Sequence, residues 1–236
     1  MRVLKIKGWQ KLSLLDYPKK TSTIIFLGGC NLRCPYCHNM ELLDCDETDD
    51  LYSEKEIMDF LDKRIGLLEG VVISGGEPTT VKGLTEFIRK IKDKGFLVKL
   101  DTNGFFPDII EELIKEELID YIAMDIKNCK DRYKETIGLL SVNIKNVTRS
   151  IEIIKNSKID YEFRTTVTKE YHTERDLRQI VNWIKGSKKW FIQQYRDSDT
   201  NLTHTLNPID KSVVDKIIEF TDNKIGSVEL RGFQNN

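Results

Sequence analysis

A chain of 236 residues with 37 Lys+Arg against 38 Asp+Glu carries a formal charge of -1. That balance gives no electrostatic case for nucleic acid, which shows as a basic excess or stripe. The longest apolar runs, TIIFLGG and VVIS, fall far short of the roughly 20 residues that span a bilayer.

The length suits one domain, or two small ones, and leaves ample core to fold without staples. No secretory h-region follows Met1, and five cysteines is an odd number with three crowded into one loop. The expectation is a cytoplasmic protein whose thiols hold metal in a reducing compartment, with no disulfides and no membrane partner.

TSTIIFLGG (21–29) reads as a strand that runs straight into the cysteine loop, and the acidic stretch DCDETDD (44–50) as a solvated loop. Ser53 and Glu56 make a capping box for a helix lined by Ile57, Phe60 and Leu61. GVVISGG (70–76) is the next strand; Leu84, Phe87, Ile88 and Ile91 then share a helical face that Gly95 closes. FLVKLDTNG (96–104) is a strand ending in a turn, with a helix from Pro107 through about Leu118. DYIAMDIKN (120–128) is a strand, Val147, Ile151 and Ile154 mark a helix, and IDYEFRTTVT (159–168) is a further strand. Thr173 caps a helix carrying Leu177, Ile180, Val181 and Ile184. KWFIQQYR (189–196) is the sixth strand, Val214, Ile217 and Ile218 mark the sixth helix, and SVELRGF (227–233) is a short final strand.

Six strand–helix units in succession predict an α/β fold, a parallel sheet with helices outside. Periodicity alone leaves a closed sheet and an open doubly wound one equally compatible. With no repeats, low-complexity tracts or Pro/Gly/Ser linker, the chain reads as a single domain over 1–236, its core about 20–222. GGC, SGGEP, DTNG, MDIK and the RTT of FRTTVT all fall at or just after carboxyl ends of predicted strands. In a parallel sheet those ends share one rim, where ligands bind.

The chemistry centres on GGCNLRCPYCHN (28–39), where Cys30, Cys34 and Cys37 are spaced by three and then two residues. Structural zinc takes four protein ligands, and His38 is poorly placed beside Cys37 to be the fourth. Three thiolates on a 4Fe–4S cube fit better, and leave one iron open for a small molecule.

Cys30-x3-Cys34-x2-Cys37 with Tyr36 before the last cysteine, followed by Gly75-Gly76-Glu77-Pro78, resembles the radical S-adenosylmethionine superfamily. KLSLLDYPKKTSTIIFLGGCNLRCPYCHN (11–39), DTNG (101–104), MDIK (124–127) and FRTTVT-x4-HTERDL (163–177) are similar to the activating enzymes of glycyl-radical proteins. Most closely they resemble those that serve anaerobic ribonucleoside-triphosphate reductase, over about Gly8 to Arg196.

The resemblance implies a partial (β/α)6 TIM-type barrel holding one 4Fe–4S cluster and S-adenosylmethionine. Cys30, Cys34 and Cys37 would be the cluster ligands, with Lys127 a fixed positive charge at the reacting cofactor. Gly75, Gly76, Glu77 and Pro78 would meet the methionine ammonium, the two glycines permitting close backbone approach. Asp101, Thr102, Asn103 and Asp125 would lie near the cofactor, the two aspartates sharing a monovalent cation with its carboxylate. Arg164 would face cofactor or cluster, Tyr36 the adenine, and Gln194 the adenine or ribose. The implied partners are a glycyl-radical protein, foremost the large subunit of anaerobic ribonucleotide reductase, and a low-potential donor such as flavodoxin or ferredoxin.

The chain also departs from the family pattern. Thr168-Lys169-Glu170 stands where relatives often carry Pro-Gly, and only 37 residues separate Cys37 from Gly75, with no second cysteine cluster for an auxiliary centre. Cys45 and Cys129 read as plain thiols, and His172 and His204 as surface or loop residues.

Overall fold

The computed structural model describes residues 2–44 and 51–233; Cys45 and the rest of the acidic stretch 45–50 lie outside the described residues. Ten strands appear among them: β1 (Arg2–Val3), β2 (Ile6–Ser13), β3 (Ser22–Leu27), β4 (Gly70–Gly75), β5 (Val81–Lys82), β6 (Leu97–Thr102), β7 (Tyr121–Asp125), β8 (Asp160–Val167), β9 (Lys189–Gln194) and β10 (Ser227–Arg231). The helices are α1 (Glu54–Asp62), α2 (Leu84–Asp93), α3 (Pro107–Lys115), the single turn α4 (Tyr133–Thr136), α5 (Ile144–Asn156), α6 (Glu174–Trp183) and α7 (Lys211–Phe220).

Eight strands form one sheet in the order β10-β9-β8-β7-β6-β4-β3-β2, and β1 pairs separately with β5. From β3 to β10 every neighbouring pair is parallel. The sheet ends on β2 and β10 without closing, so the α/β expectation holds in the form of a partial barrel. Periodicity found the parallel strands because they are covered by helices: the first four residues of β4 and of β7 are all buried, the near-continuous apolar runs that this environment selects.

β2 was not predicted. It runs antiparallel to β3 with two register shifts, and its middle residues are only half-buried or exposed. An edge strand covered on so little of its length leaves no clean apolar alternation to read.

The caps that periodicity pointed to are formed. Ser53 accepts from Glu56 N–H while Glu56 reaches back, and Thr173 with Asp176 does the same for α6. α3 ends at Lys115, earlier than Leu118, because Glu117 turns left-handed at φ 56° and Leu118 N–H bonds back to Leu113 O at 2.9 Å. No helix of the described residues is long and apolar enough to cross a membrane.

Candidate active site

β3 leads directly into the cysteine loop, which has no regular structure and is held by backbone bonds instead. Gly29 N–H donates to Leu42 O (2.7 Å), Cys30 N–H to Leu43 O (3.1 Å), Arg33 N–H to Ile137 O (3.0 Å) and Cys37 N–H to Cys34 O (2.9 Å). The Arg33 guanidinium folds back onto Cys30 O and Leu32 O. The loop is therefore clamped between the 40–43 turn and the segment after α4.

Cys30 and Cys34 are buried, Cys37 is partly exposed, and all three line one cavity of about 250 Å³. Burial pushes the Cys30 thiol up to about 11 and Cys34 up to about 12. Neither is poised as a free nucleophile, and a positive ligand must compensate for their ionisation.

No three His, Cys, Asp or Glu side chains among the described residues are gathered tightly enough for a single metal ion. Tetrahedral zinc, at about 2.3 Å from each sulfur, would draw its thiolates close together. Three cysteines on one cavity wall suit an iron–sulfur cube, for which cysteine is the usual ligand.

Opposite the thiols, β6, β7 and β8 place a ladder of charges on the inner face of the half-barrel. Asp101 meets Lys99 Nζ at 2.6 Å and Arg164 at 3.5 Å. Asp125 meets Arg164 Nε and Lys127 Nζ, each at 2.8 Å. Burial alone would raise both carboxyls; Arg164, with Lys127 at Asp125 and Lys99 at Asp101, outweighs it and holds each below the ordinary aspartate value. Within this ladder three cations stand against two carboxylates, and its Lys127 and Arg164 reach the cavity wall, where they suit an anionic group such as an amino-acid carboxylate.

The GGEP turn has a different logic from the one its glycines suggested. A Cβ on Gly75, at φ +126°, would sit 2.1 Å from Leu27 O, and one on Gly76 would sit 2.2 Å from Gly29 O. These glycines are required because the turn packs backbone to backbone against the entry to the cysteine loop. Gly76 N–H and Glu77 N–H donate to those same two carbonyls at 2.8 Å.

Glu77 is 1% exposed and its carboxylate is filled from within the protein. Oε1 accepts from Thr79 N–H (3.1 Å), the Thr79 hydroxyl and the Thr102 hydroxyl (2.7 Å), and Oε2 from Asn103 N–H (2.6 Å). It pins the end of β4 to the DTNG turn. Asn103 Nδ2–H in turn donates to Asn31 Oδ1 at 2.8 Å, which ties that turn to the cysteine loop.

Tyr36, Gly75, Gly76, Glu77, Asp101, Thr102, Asn103, Asp125, Lys127 and Arg164 all line the cavity with the cysteines. Pro78 is buried at the first position of a short 3-10 helix behind Glu77. Gln194, expected at the adenine or ribose, is not among the residues that line this cavity. Strand alternation turns Gln193 to the cavity, and Gln194 Nε2–H donates to Ile209 O at 3.2 Å.

His172 lies in the loop between β8 and α6, as expected, and is 2% exposed there. His204 does lie at the surface, paired with Asp197 at 2.9 Å. Cys129 is a buried free thiol 3.6 Å from Asp176. Lys99, Ser74 and Thr166 join the site unpredicted, although each lies two residues from a predicted member (Asp101, Gly76 or Arg164) in the chain.

The radical SAM superfamily model matches residues 24–184, and the chain belongs to that superfamily. It is 37% identical to a candidate glycyl-radical enzyme activating enzyme of Methanocaldococcus jannaschii, over 95% of this chain and 98% of the relative. That likeness places it in the family of glycyl-radical enzyme activating enzymes. It is 27% identical to the pyruvate formate-lyase-activating enzyme of Clostridium pasteurianum, covering 86% of this chain and 87% of that one. Among solved structures, SuiB of Streptococcus suis with its precursor peptide superposes at a TM-score of 0.68 with 14% identity over 89% of this chain. The chain spans 48% of SuiB's length. QueE of Escherichia coli superposes at 0.54 with 15% identity, covering 96% of this chain and 93% of that one. At these identities the structures attest the fold alone.

Proposed function

We propose that this protein is an anaerobic activase that cleaves S-adenosylmethionine reductively and installs a glycyl radical on a class III ribonucleoside-triphosphate reductase. The observation that carries the reading is the facing of three cysteines and a net-positive buried ladder across one cavity at the strand rim.

Cys30, Cys34 and Cys37 hold the cluster, and a low-potential donor such as flavodoxin or ferredoxin reduces it. When bound, the cluster would supply the electron for reductive cleavage of S-adenosylmethionine, the chemistry by which hydrogen would be removed from the partner's glycine. The chain's own residues bind, orient and exclude water. Lys127 and Arg164, held rigid by Asp125, attract the cofactor carboxylate. The carbonyls of the Gly75–Gly76 turn accept from its ammonium, and Tyr36 offers a flat ring to the adenine.

The choice of reductase rests on the sequence resemblance over 8–196. A second reading, an activase of pyruvate formate-lyase, is favoured by the 27% identity to such an enzyme. The test is to mix the reduced, cluster-loaded protein and S-adenosylmethionine with each candidate partner and record EPR spectra. A glycyl doublet on the reductase supports the first reading, one on the lyase the second, and none on any glycyl-radical protein rejects both.

A further inference from the structure

The two aspartates expected to share a monovalent cation are already occupied by the chain's own donors. Asp101 Oδ1 faces Lys99 Nζ at 2.6 Å and Arg164 at 3.5 Å, and its Oδ2 accepts from the Ser74 hydroxyl at 3.1 Å. Asp125 Oδ1 faces Arg164 Nε at 2.8 Å and its Oδ2 faces Lys127 Nζ at 2.8 Å. All four carboxylate oxygens thus carry a hydrogen-bond donor. A metal ion on these oxygens would stand close to the Lys99 and Lys127 ammonium groups and the Arg164 guanidinium, whose like charge opposes it.

Lys99 is the unusual member. Its side chain is 3% exposed, and a lysine at that depth survives only with a charged partner. As the residue two before Asp101 on β6, it shares the inner face with it, so the sequence itself delivers an ammonium to the aspartate from below.

We propose that Lys99 is the resident cation of this site, holding Asp101 in place of a bound monovalent metal ion, so that S-adenosylmethionine binds without Na⁺ or K⁺. The proposal rests on the reading of this cavity as the S-adenosylmethionine site. Lys99 is a positioning residue: it acts through Asp101 and Arg164 and does not touch the cofactor's reacting atoms.

The test is calorimetric titration of S-adenosylmethionine into the anaerobically reconstituted holoprotein in KCl, NaCl or choline chloride at equal ionic strength, for wild type, Lys99→Met and Lys99→Arg. Wild type and Lys99→Arg are expected to give the same Kd in all three salts within about twofold. Lys99→Met loses one charge-assisted contact and is expected to weaken by about tenfold or more in choline, and to recover in K⁺ or Na⁺ as the metal takes the vacated place. Thermal unfolding shows whether each variant is folded; if Lys99→Met is not, the wild-type and Lys99→Arg titrations decide. A wild-type Kd that needs K⁺ or Na⁺ by tenfold overturns the proposal. So does a folded Lys99→Met protein that binds as wild type does in choline, or one weakened equally in every salt. Wild type that binds no S-adenosylmethionine in any salt overturns the underlying reading of the cavity, and this proposal with it.

Discussion

His172 Nε2–H donates to the backbone carbonyl of Lys127 at 2.9 Å, while His172 Nδ1 accepts from Thr168 N–H at 3.1 Å. With a donor at Nδ1, the ring's single proton sits on Nε2 and the imidazole is neutral. It bolts the segment after β8 to the segment after β7, directly beneath the ammonium that pairs with Asp125.

Burial of that ring makes stability depend on pH in a defined window. Burial lowers the His172 pKa from 6.5 to about 4, so between those values the unfolded chain binds a proton that the folded one refuses. Stability is full above about pH 6.5 and declines as the pH falls towards 4, by on the order of 3 kcal/mol for one group. His172→Gln keeps a donor for Lys127 and removes the titration. Its thermal midpoint is expected to change less than that of wild type between pH 6.5 and 4, measured by circular dichroism.

Glu77→Gln should cost stability before it costs chemistry. Its Oε2 accepts from Asn103 N–H at 2.6 Å, and an amide either turns an N–H against that donor or gives up the three bonds at Oε1. Leaving buried groups unpaired costs about 1–3 kcal/mol each, which for a chain of this size lowers the melting temperature by about 5–10 °C. An unchanged melting temperature would contradict the role of Glu77 as a pin.

Gly76→Ala tests why the GGEP glycines are there. The added carbon would stand 2.2 Å from Gly29 O, a rigid backbone atom, so the turn must move away from the cysteine loop. The expected result is a loss of about 3 kcal/mol or more and reduced iron uptake on reconstitution. A variant as stable as wild type that binds S-adenosylmethionine poorly would instead restore the view that the glycine serves the ligand.

Iron content separates the ligands from the bystander. Alanine at Cys30, Cys34 or Cys37 is expected to abolish most cluster absorbance and protein-bound iron, because three ligands leave none in reserve. Cys129→Ala, altering a thiol that lies against Asp176, is expected to retain the full iron complement. Full iron in any of the three loop variants would remove that cysteine from the ligand set.

The sequence carried most of this molecule. Parallel strands announce themselves as short apolar runs, and their carboxyl ends located the rim motifs. What escaped it depended on neighbours distant along the chain. β2 is stabilised by pairing with β3 more than by its own pattern. His172 is the loop residue it was read as, but its burial escaped the sequence because its partners, Lys127 and Thr168, meet only when β7 and β8 lie side by side. The glycines at 75 and 76 were legible as a tight turn, but the crowding atoms, Leu27 O and Gly29 O, belong to the adjacent strand's exit. Lys99, by contrast, was within reach: counting two residues back along β6 from Asp101 finds the next side chain on the same face.

The most direct measurement is production of 5′-deoxyadenosine by the anaerobically reconstituted protein given S-adenosylmethionine and a strong reductant, with and without a glycyl-radical partner. Wild type is expected to form it, and Cys34→Ala to form none. A fully iron-loaded, reducible wild-type protein that forms no 5′-deoxyadenosine even with each candidate partner present would contradict the assignment of this cavity to radical chemistry.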